Sequence, residues 1–152
     1  MISTAPTEPK PVLAIDATES VVGRALLAIS SLYFAESWLH GVQLRFTGAP
    51  DANVQIAIGA LRSDLGVEAA FHADVDSALA NADLFAAIAF QNAAHLPLKA
   101  VHWYRMKAVI AIQYPDPEWA DLVAGQDPVL AFDPRRFAQC LEATLAQRTG
   151  HK

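Results

Sequence analysis

Short apolar runs alternate with amphipathic stretches along most of the chain. The apolar runs predict strands, because a strand that is covered on both faces carries apolar side chains on both sides. The stretches between them place apolar residues three and four positions apart, as at Val22, Leu26 and Ile29, and this spacing predicts helices. The pattern predicts strands at 12–16, 42–48, 67–72, 84–90, 108–112 and 128–132, and helices over 18–40, from about 51 to 65, and over 75–80, 97–105, 117–123 and 134–148.

Capping residues support these boundaries. Asp74 precedes the third predicted helix, and Asp133 with Pro134 precedes the last one, both in positions favoured at a helix N-terminus. Gly66 follows the second predicted strand–helix unit, where glycine commonly ends a helix. Strands that alternate with helices indicate a parallel sheet with helices on both faces. The sequence therefore predicts an α/β, three-layer, Rossmann-like doubly wound fold with a six-stranded parallel sheet in the order 3-2-1-4-5-6.

We expect one domain over residues 12–148, preceded by a flexible proline-containing leader (1–11) and followed by a frayed tail (149–152). Apolar residues make up 53% of the chain and charged residues 18%, which excludes a disordered chain. The net charge of −5 argues against nucleic acid and anionic lipid as partners, because both require basic patches.

The single cysteine, Cys140, has no partner within the chain for a disulfide, and this composition favours a reducing, cytoplasmic location. No stretch approaches the roughly 20 apolar residues of a membrane-spanning helix. The five histidines show no metal-ligand spacing, so we expect neither a metal nor a bound cofactor. The motifs GxGxxG after the first strand, Walker A and GxSxG are all absent, which argues against dinucleotide oxidoreductases, P-loop enzymes and α/β-hydrolases.

The predicted strand order places a crevice between strands 1 and 4, where ligands of open parallel sheets bind. An anion would be attracted by the helix N-terminus near residue 20 and by Arg24, one turn inside that helix. Asp16 and Glu19 would repel it. His72, at the end of the third strand, is a further candidate. The residues expected to line the crevice are Asp16, Thr18, Glu19, Gln91, Asn92 and His95.

Each candidate also has a purely structural interpretation. Asp16 and Thr18 are suited to capping a helix, and Arg24 to a solvated helix surface. His72 is suited to ending a strand with its ring hydrogen-bonded to the backbone. The polar residues of the loop 91–95 are also typical of an ordinary surface loop.

Three fragments of the second half stand in a familiar order: "NADLFAAIAF", "LPLKAV" and "KAVIAI". Together with "VLAID", "VQLRFTGAP" and "DLVAGQDPVLAFDPRRFAQCLEATL", they resemble the carboxy-terminal domain of the group 1 GT-B glycosyltransferases over nearly the whole chain. The resemblance implies a domain that holds a nucleotide-sugar donor, while a separate domain holds the acceptor.

The chain departs from the family at its donor-binding residues. The two family glutamates fall on Asn92 and Ala100, or on Val101 in place of Ala100, so neither acid is present. The family's basic pair after the first strand falls within 16–24, where Arg24 is the only basic residue.

The leading functional hypothesis is a glycosyltransferase-like domain that binds a nucleotide sugar or is a degenerate remnant of one, acting with a separate acceptor-domain chain. The alternative is a non-catalytic interaction or oligomerisation domain that forms a homo-oligomer or docks a partner. A third reading is a small response-regulator-like or flavodoxin-like domain, although Asp16 lacks a neighbouring acidic pair and six strands exceed the usual five. Trp103 and Tyr104 point in different directions on a helix, so we expect at least one of them at the surface.

Overall fold

The computed structural model describes residues 10–18, 24–48, 51–89, 98–112, 129–131 and 133–150. The strands in these segments are β1 (Val12–Asp16), β2 (Gln43–Thr47), β3 (Glu68–His72), β4 (Leu84–Ala89), β5 (Lys107–Ile112) and β6 (Val129–Ala131). The α-helices are α1 (Arg24–Ser31), α2 (Glu36–Leu39), α3 (Ala52–Leu65), α4 (Val75–Leu79), α5 (Leu98–Trp103) and α6 (Pro134–Gly150), and a 3-10 helix spans Leu32–Ala35. The helix predicted over 117–123 lies outside the described residues.

The six strands form one sheet in the order β3-β2-β1-β4-β5-β6. All five neighbouring pairs are parallel. The doubly wound fold and its strand order are therefore confirmed. The predicted strand bounds agree with the structure to within one residue at each end. The central strand β4 is buried from Leu84 to Ile88, as expected for a strand covered on both faces.

The two faces of the sheet are covered unequally. The face that we call the α1 face is covered by α1, the 3-10 helix, α3 and α6, and it holds the larger core. The other face, which we call the α4 face, is covered among the described residues by α4 and α5. Its core is smaller and consists of Ala14, Leu79, Phe85, Ala87, Val101, Met106, Ala108 and Ile110. The larger core on the α1 face includes Phe46, Ile58, Leu61, Phe137 and Leu141.

Capping residues begin or end several helices as the sequence predicted. Asp133 Oδ1 accepts hydrogen bonds from the backbone N–H groups of Arg135 and Arg136, both at 3.0 Å. Asp74 Oδ2 accepts from the N–H of Ser77 at 3.2 Å. Gly66 ends α3 in the left-handed conformation, with φ of 64°. These contacts satisfy backbone groups that have no partner within their own helices.

The segment predicted as helical over 18–40 is helical from Arg24 to Leu39, but it is not one regular α-helix. The described part begins at Arg24 and changes to a 3-10 helix at Leu32. The hydroxyls of Ser30 and Ser31 both donate to the carbonyl oxygen of Leu27, at 3.2 and 2.7 Å. Such back-bonding competes for a carbonyl that the helix uses and bends or loosens it. The apolar periodicity continues through this point, which is why it does not reveal the break.

The edge strand β3 is tied to its surroundings by charged side chains. Arg62 Nη1 donates to the carbonyl oxygen of Ala69 at 3.2 Å, from the end of the preceding helix. Lys10 and Glu68 form an exposed ion pair of 2.8 Å beside the start of the strand. An exposed pair of this kind contributes little to stability, but it places charge at the sheet edge.

Candidate functional site

The strand order reverses between β1 and β4. β1 pairs with β2 on one side and with β4 on the other, and Asp16 is its last residue. The helices that follow β1 and β2 cover the α1 face, whereas those that follow β3 and β4 cover the α4 face. A reversal of this kind leaves a crevice at the carboxyl ends of the strands. We refer to the carboxyl ends of β2, β1 and β4 as the candidate site.

Asp16 and Thr18 form a closed turn at the end of β1. Asp16 is buried, and its Oδ1 accepts hydrogen bonds from Thr18 Oγ1 at 2.9 Å and from the N–H of Thr18 at 3.4 Å. The N–H of Ala17 donates to the carbonyl oxygen of Thr47 at 2.6 Å, which fixes the turn against β2. The carboxylate of Asp16 therefore helps to hold its own loop.

Gly48 allows the loop after β2 to pack against the turn formed by Asp16 and Thr18. Its φ is 118°, a conformation that residues with a side chain rarely adopt. A Cβ atom here would overlap Thr18 Oγ1 and lie 2.9 Å from Asp16 Oδ1. The loop after β2 consequently approaches the turn after β1 as closely as only a glycine permits.

Three polar residues lie in register at the carboxyl edge. Asp16 pairs with Thr47, and Thr47 pairs with His72. Register partners in parallel strands place their side chains on the same face. Asp16 follows Ala14 of the α4-face core by two positions, so this row belongs to the α4 face. His72 stands two strands from β1, about 10 Å away at the usual strand spacing.

The side chain of His72 has a local partner. Its Nδ1 lies 2.9 Å from Ser77 Oγ on α4, and the residue is half-buried. The ring is therefore hydrogen-bonded at a strand end, though to a side-chain hydroxyl and not to backbone. The structure does not bring His72 into the crevice between β1 and β4.

Thr47 is a feature that the sequence reasoning missed. Thr47 is 1% exposed. Among the described residues, its Oγ1 is the buried side-chain polar atom that has no hydrogen-bond partner. An unpaired buried hydroxyl costs about 1–3 kcal/mol. The available signal is a polar residue that ends an otherwise apolar strand directly before a glycine.

The remaining predicted site residues are placed only in part. Arg24 is the first residue of α1 in the described structure. Glu19, Gln91, Asn92 and His95 lie outside the described residues. Of the residues predicted to line the crevice, the structure therefore brings together Asp16 and Thr18.

A cation on the same face has a structural role that the sequence did not reveal. Arg45 of β2 donates from Nη1 to the carbonyl oxygen of Ala78, at 3.3 Å, and to that of Ala80. These carbonyls belong to the C-terminal end of α4, where a positive charge is favourable. The guanidinium thus anchors α4 to the sheet.

The helices of the α4 face are also joined by a tyrosine. Tyr104, just after α5, donates from its hydroxyl to Asp76 Oδ1 at 3.3 Å. Partial burial raises the pKa of the Tyr104 hydroxyl above its usual value, and the negative charge of Asp76 raises this pKa further. Its neighbour Trp103 is 79% exposed, so the prediction of a surface aromatic here is confirmed.

The described residues contain no cluster of three or more His, Cys, Asp or Glu side chains that are placed to share a metal ion. Within the same segments, no helix combines the length and apolar character that crossing a membrane requires.

Solved structures with a similar fold are numerous, although the sequence matches no protein-family model and no curated protein. One is the catalytic domain of cholesterol-alpha-glucosyltransferase from Helicobacter pylori, with a TM-score of 0.64, 15% identity, and coverage of 92% of this chain and 89% of that one. A second is WaaG, a glycosyltransferase involved in lipopolysaccharide biosynthesis, with a TM-score of 0.66, 22% identity, and coverage of 93% and 40%. A third is an alpha,alpha-trehalose-phosphate synthase (UDP-forming) from Burkholderia vietnamiensis, with a TM-score of 0.67, 11% identity, and coverage of 90% and 37%.

These likenesses concern the fold. The chain spans less than half the length of the second and third structures, and nearly the whole of the first. The chain therefore has the Rossmann-like fold of a GT-B glycosyltransferase domain, as the resemblance of its sequence implied.

Proposed function

We propose that this chain is a glycosyltransferase-like domain that binds a nucleotide diphosphate sugar at the carboxyl ends of β1 and β4. The observation that carries the proposal is the reversal of strand order at Asp16, in a fold shared with glycosyltransferases. Ligands of open parallel sheets bind at such a reversal, because the loops on its two sides diverge and leave room.

The reaction in this proposal is glycosyl transfer. The bond between the anomeric carbon of the sugar and the diphosphate breaks, and the nucleoside diphosphate leaves with the bonding electrons. The oxygen of the acceptor hydroxyl forms the new glycosidic bond with the anomeric carbon, and its proton passes to solvent. Negative charge therefore develops on the leaving diphosphate, and positive groups aimed at it lower the barrier.

The proposed roles of the residues follow from charge. Arg24 and the backbone amides near residue 20 would stabilise the diphosphate, and Asn92 and His95 would contact the sugar. Asp16 would oppose a phosphate placed directly beside it, since its carboxylate is negative and buried. We therefore assign to Asp16 the shaping of the loop, through its hydrogen bonds with Thr18, and no direct contact with phosphate.

The acceptor would be held outside the domain described here. The solved glycosyltransferase WaaG and the trehalose-phosphate synthase are more than twice as long as the part that this chain matches. We propose that the acceptor is held by a separate domain, which would close over the same carboxyl edge.

The test is calorimetry with uridine, guanosine and adenosine diphosphates and their sugar conjugates. We expect one base to bind, and Arg24→Ala to weaken its binding about tenfold or more, the loss typical of a charged hydrogen bond. Arg136→Ala is the matched control, because Arg136 is exposed on α6 of the α1 face. Its binding should equal that of the unchanged protein.

Absence of heat from every nucleotide at millimolar concentration would contradict the proposal. Equal weakening by both arginine substitutions would show a general charge effect and would remove Arg24 from the site.

A further inference from the structure

We propose that the outer surface of α1 and α3 is a contact between two copies of this chain. A groove of about 570 Å³ runs between these helices, on the side of the α1 face that points away from the sheet. Its walls are mainly apolar and are formed by Leu26, Leu27, Ile29 and Tyr33 on one side and by Ala57 and Ala60 on the other. The inference does not rest on nucleotide binding.

The polar groups of the groove are already paired. The Tyr33 hydroxyl donates to Asp64 Oδ2 at 2.7 Å, which pins the tyrosine across the end of the groove. The hydroxyl of Ser30 donates to the carbonyl oxygen of Leu27. The groove consequently offers little to orient a polar ligand, and it suits the apolar side chains of a protein partner.

Ile56 stands on the flank of this groove. It is 70% exposed, the largest exposed fraction among the large aliphatic residues of the described structure. It precedes Ala57 by one position and Ala60 by one helical turn, so it projects beside the hollow that the two alanines leave. The same surface therefore carries a protruding apolar side chain next to an apolar hollow.

The charge distribution favours a second copy as the occupant. No charged residue occurs over 25–35 or over 52–61, the segments that form most of this surface. The chain has a net charge of −5, so a contact between two copies is least unfavourable where the surface carries no charge. Depletion of charged residues also distinguishes the centre of a protein interface from the remaining surface.

A two-fold axis would bring the protruding Ile56 of each copy to the apolar groove of the other. In a symmetric dimer the same patch occurs on both partners and must be complementary to itself. Ile56 of each copy would enter the groove of the other, and the two α3 helices would cross between the grooves.

The experiment is sedimentation velocity from micromolar to about millimolar protein. We expect a concentration-dependent dimer, and we expect Ile56→Glu to raise its dissociation constant at least about tenfold by placing a charge at the centre of the contact. Trp103→Glu is the matched control, because Trp103 is also highly exposed but lies on α5 of the α4 face. Both variants alter exposed side chains, and thermal melting verifies that each is folded.

A monomer at every concentration would overturn the proposal, and so would a dimer that Ile56→Glu leaves intact. A dimer that Trp103→Glu abolishes would place the contact on the opposite face. A monomer whose melting temperature rises with a fatty acid or an alkyl detergent would assign the groove to a small apolar ligand and would equally overturn it.

Discussion

The two faces of the sheet differ in how their helices are held. On the α1 face, α3 has 14 residues and α6 has 17, and they pack on a large continuous core. On the α4 face, α4 has 5 residues and α5 has 6. Helices this short are not stable alone, so they depend on tertiary contacts such as those of Arg45 and Tyr104. The comparison indicates that the α1 face supplies most of the stability, while the row of polar residues at the candidate site faces the weaker side.

The largest expected effect compares one fully buried leucine on each face. Leu61→Ala in α3 should lower the free energy of unfolding by about 3–5 kcal/mol, because the long helices around it cannot close the cavity. Leu79→Ala in α4 should cost about 2–3 kcal/mol, because a short helix on a small core can collapse into the space. Urea unfolding measures both values. Equal losses would refute the unequal division of stability.

A smaller effect is expected where the loop after β2 packs against the turn after β1. Gly48→Ala should cost about 2–4 kcal/mol, from an unfavourable φ and from overlap with Thr18. Gly66→Ala is the control, since its φ is also positive but no atom lies within 4 Å of the added Cβ, and it should cost about 1 kcal/mol. Thermal unfolding measures the loss of stability in both variants. Gly66→Ala reports the cost of a positive φ alone, and the additional loss in Gly48→Ala reports the overlap with Thr18. A loss at Gly48 no larger than that at Gly66 would mean that the turn after β1 yields without cost.

The smallest expected effect compares the stability contributions of one buried threonine hydroxyl on each face. Thr47→Val on the α4 face should raise the free energy of unfolding by about 1 kcal/mol, because it removes an unpaired buried hydroxyl and keeps the side-chain shape. Thr144→Val on the α1 face should leave stability unchanged or lower it by up to about 1 kcal/mol, since Thr144 Oγ1 donates to the carbonyl oxygen of Cys140 at 2.8 Å. Chemical denaturation of both variants provides the measurement. Destabilisation by Thr47→Val would show that its hydroxyl is paired in solution.

The fold was predictable because its determinants are local and repeated. Apolar strands, helical spacing and capping residues such as Asp74 and Asp133 each act within a few positions of the chain. Their regular alternation then left few arrangements, and the strand order followed from the general rules of parallel sheets. The change from α-helix to 3-10 helix after Ser31 was not predicted, because two hydroxyls compete for one carbonyl without changing the apolar pattern.

The candidate site was predictable only in its position. That Asp16 ends the first strand and that Thr18 follows it could be read from the chain, and the structure places both at the reversal. The closeness of Gly48 to their turn depends on the pairing of β1 with β2, some thirty residues apart. The partners of Arg45 on α4 likewise lie more than thirty positions away. Contacts of this range depend on the packed arrangement and leave no mark in local spacing.

The charged contacts along β3 have a consequence for the addition of further strands to the sheet. An uncovered outer strand is a template on which another chain can add a strand and begin a fibril. Here one carbonyl of that strand is already occupied by Arg62, and the pair formed by Lys10 and Glu68 sets charges beside it. An incoming strand would have to displace a guanidinium and desolvate an ion pair. These contacts therefore disfavour the addition of a further strand at β3.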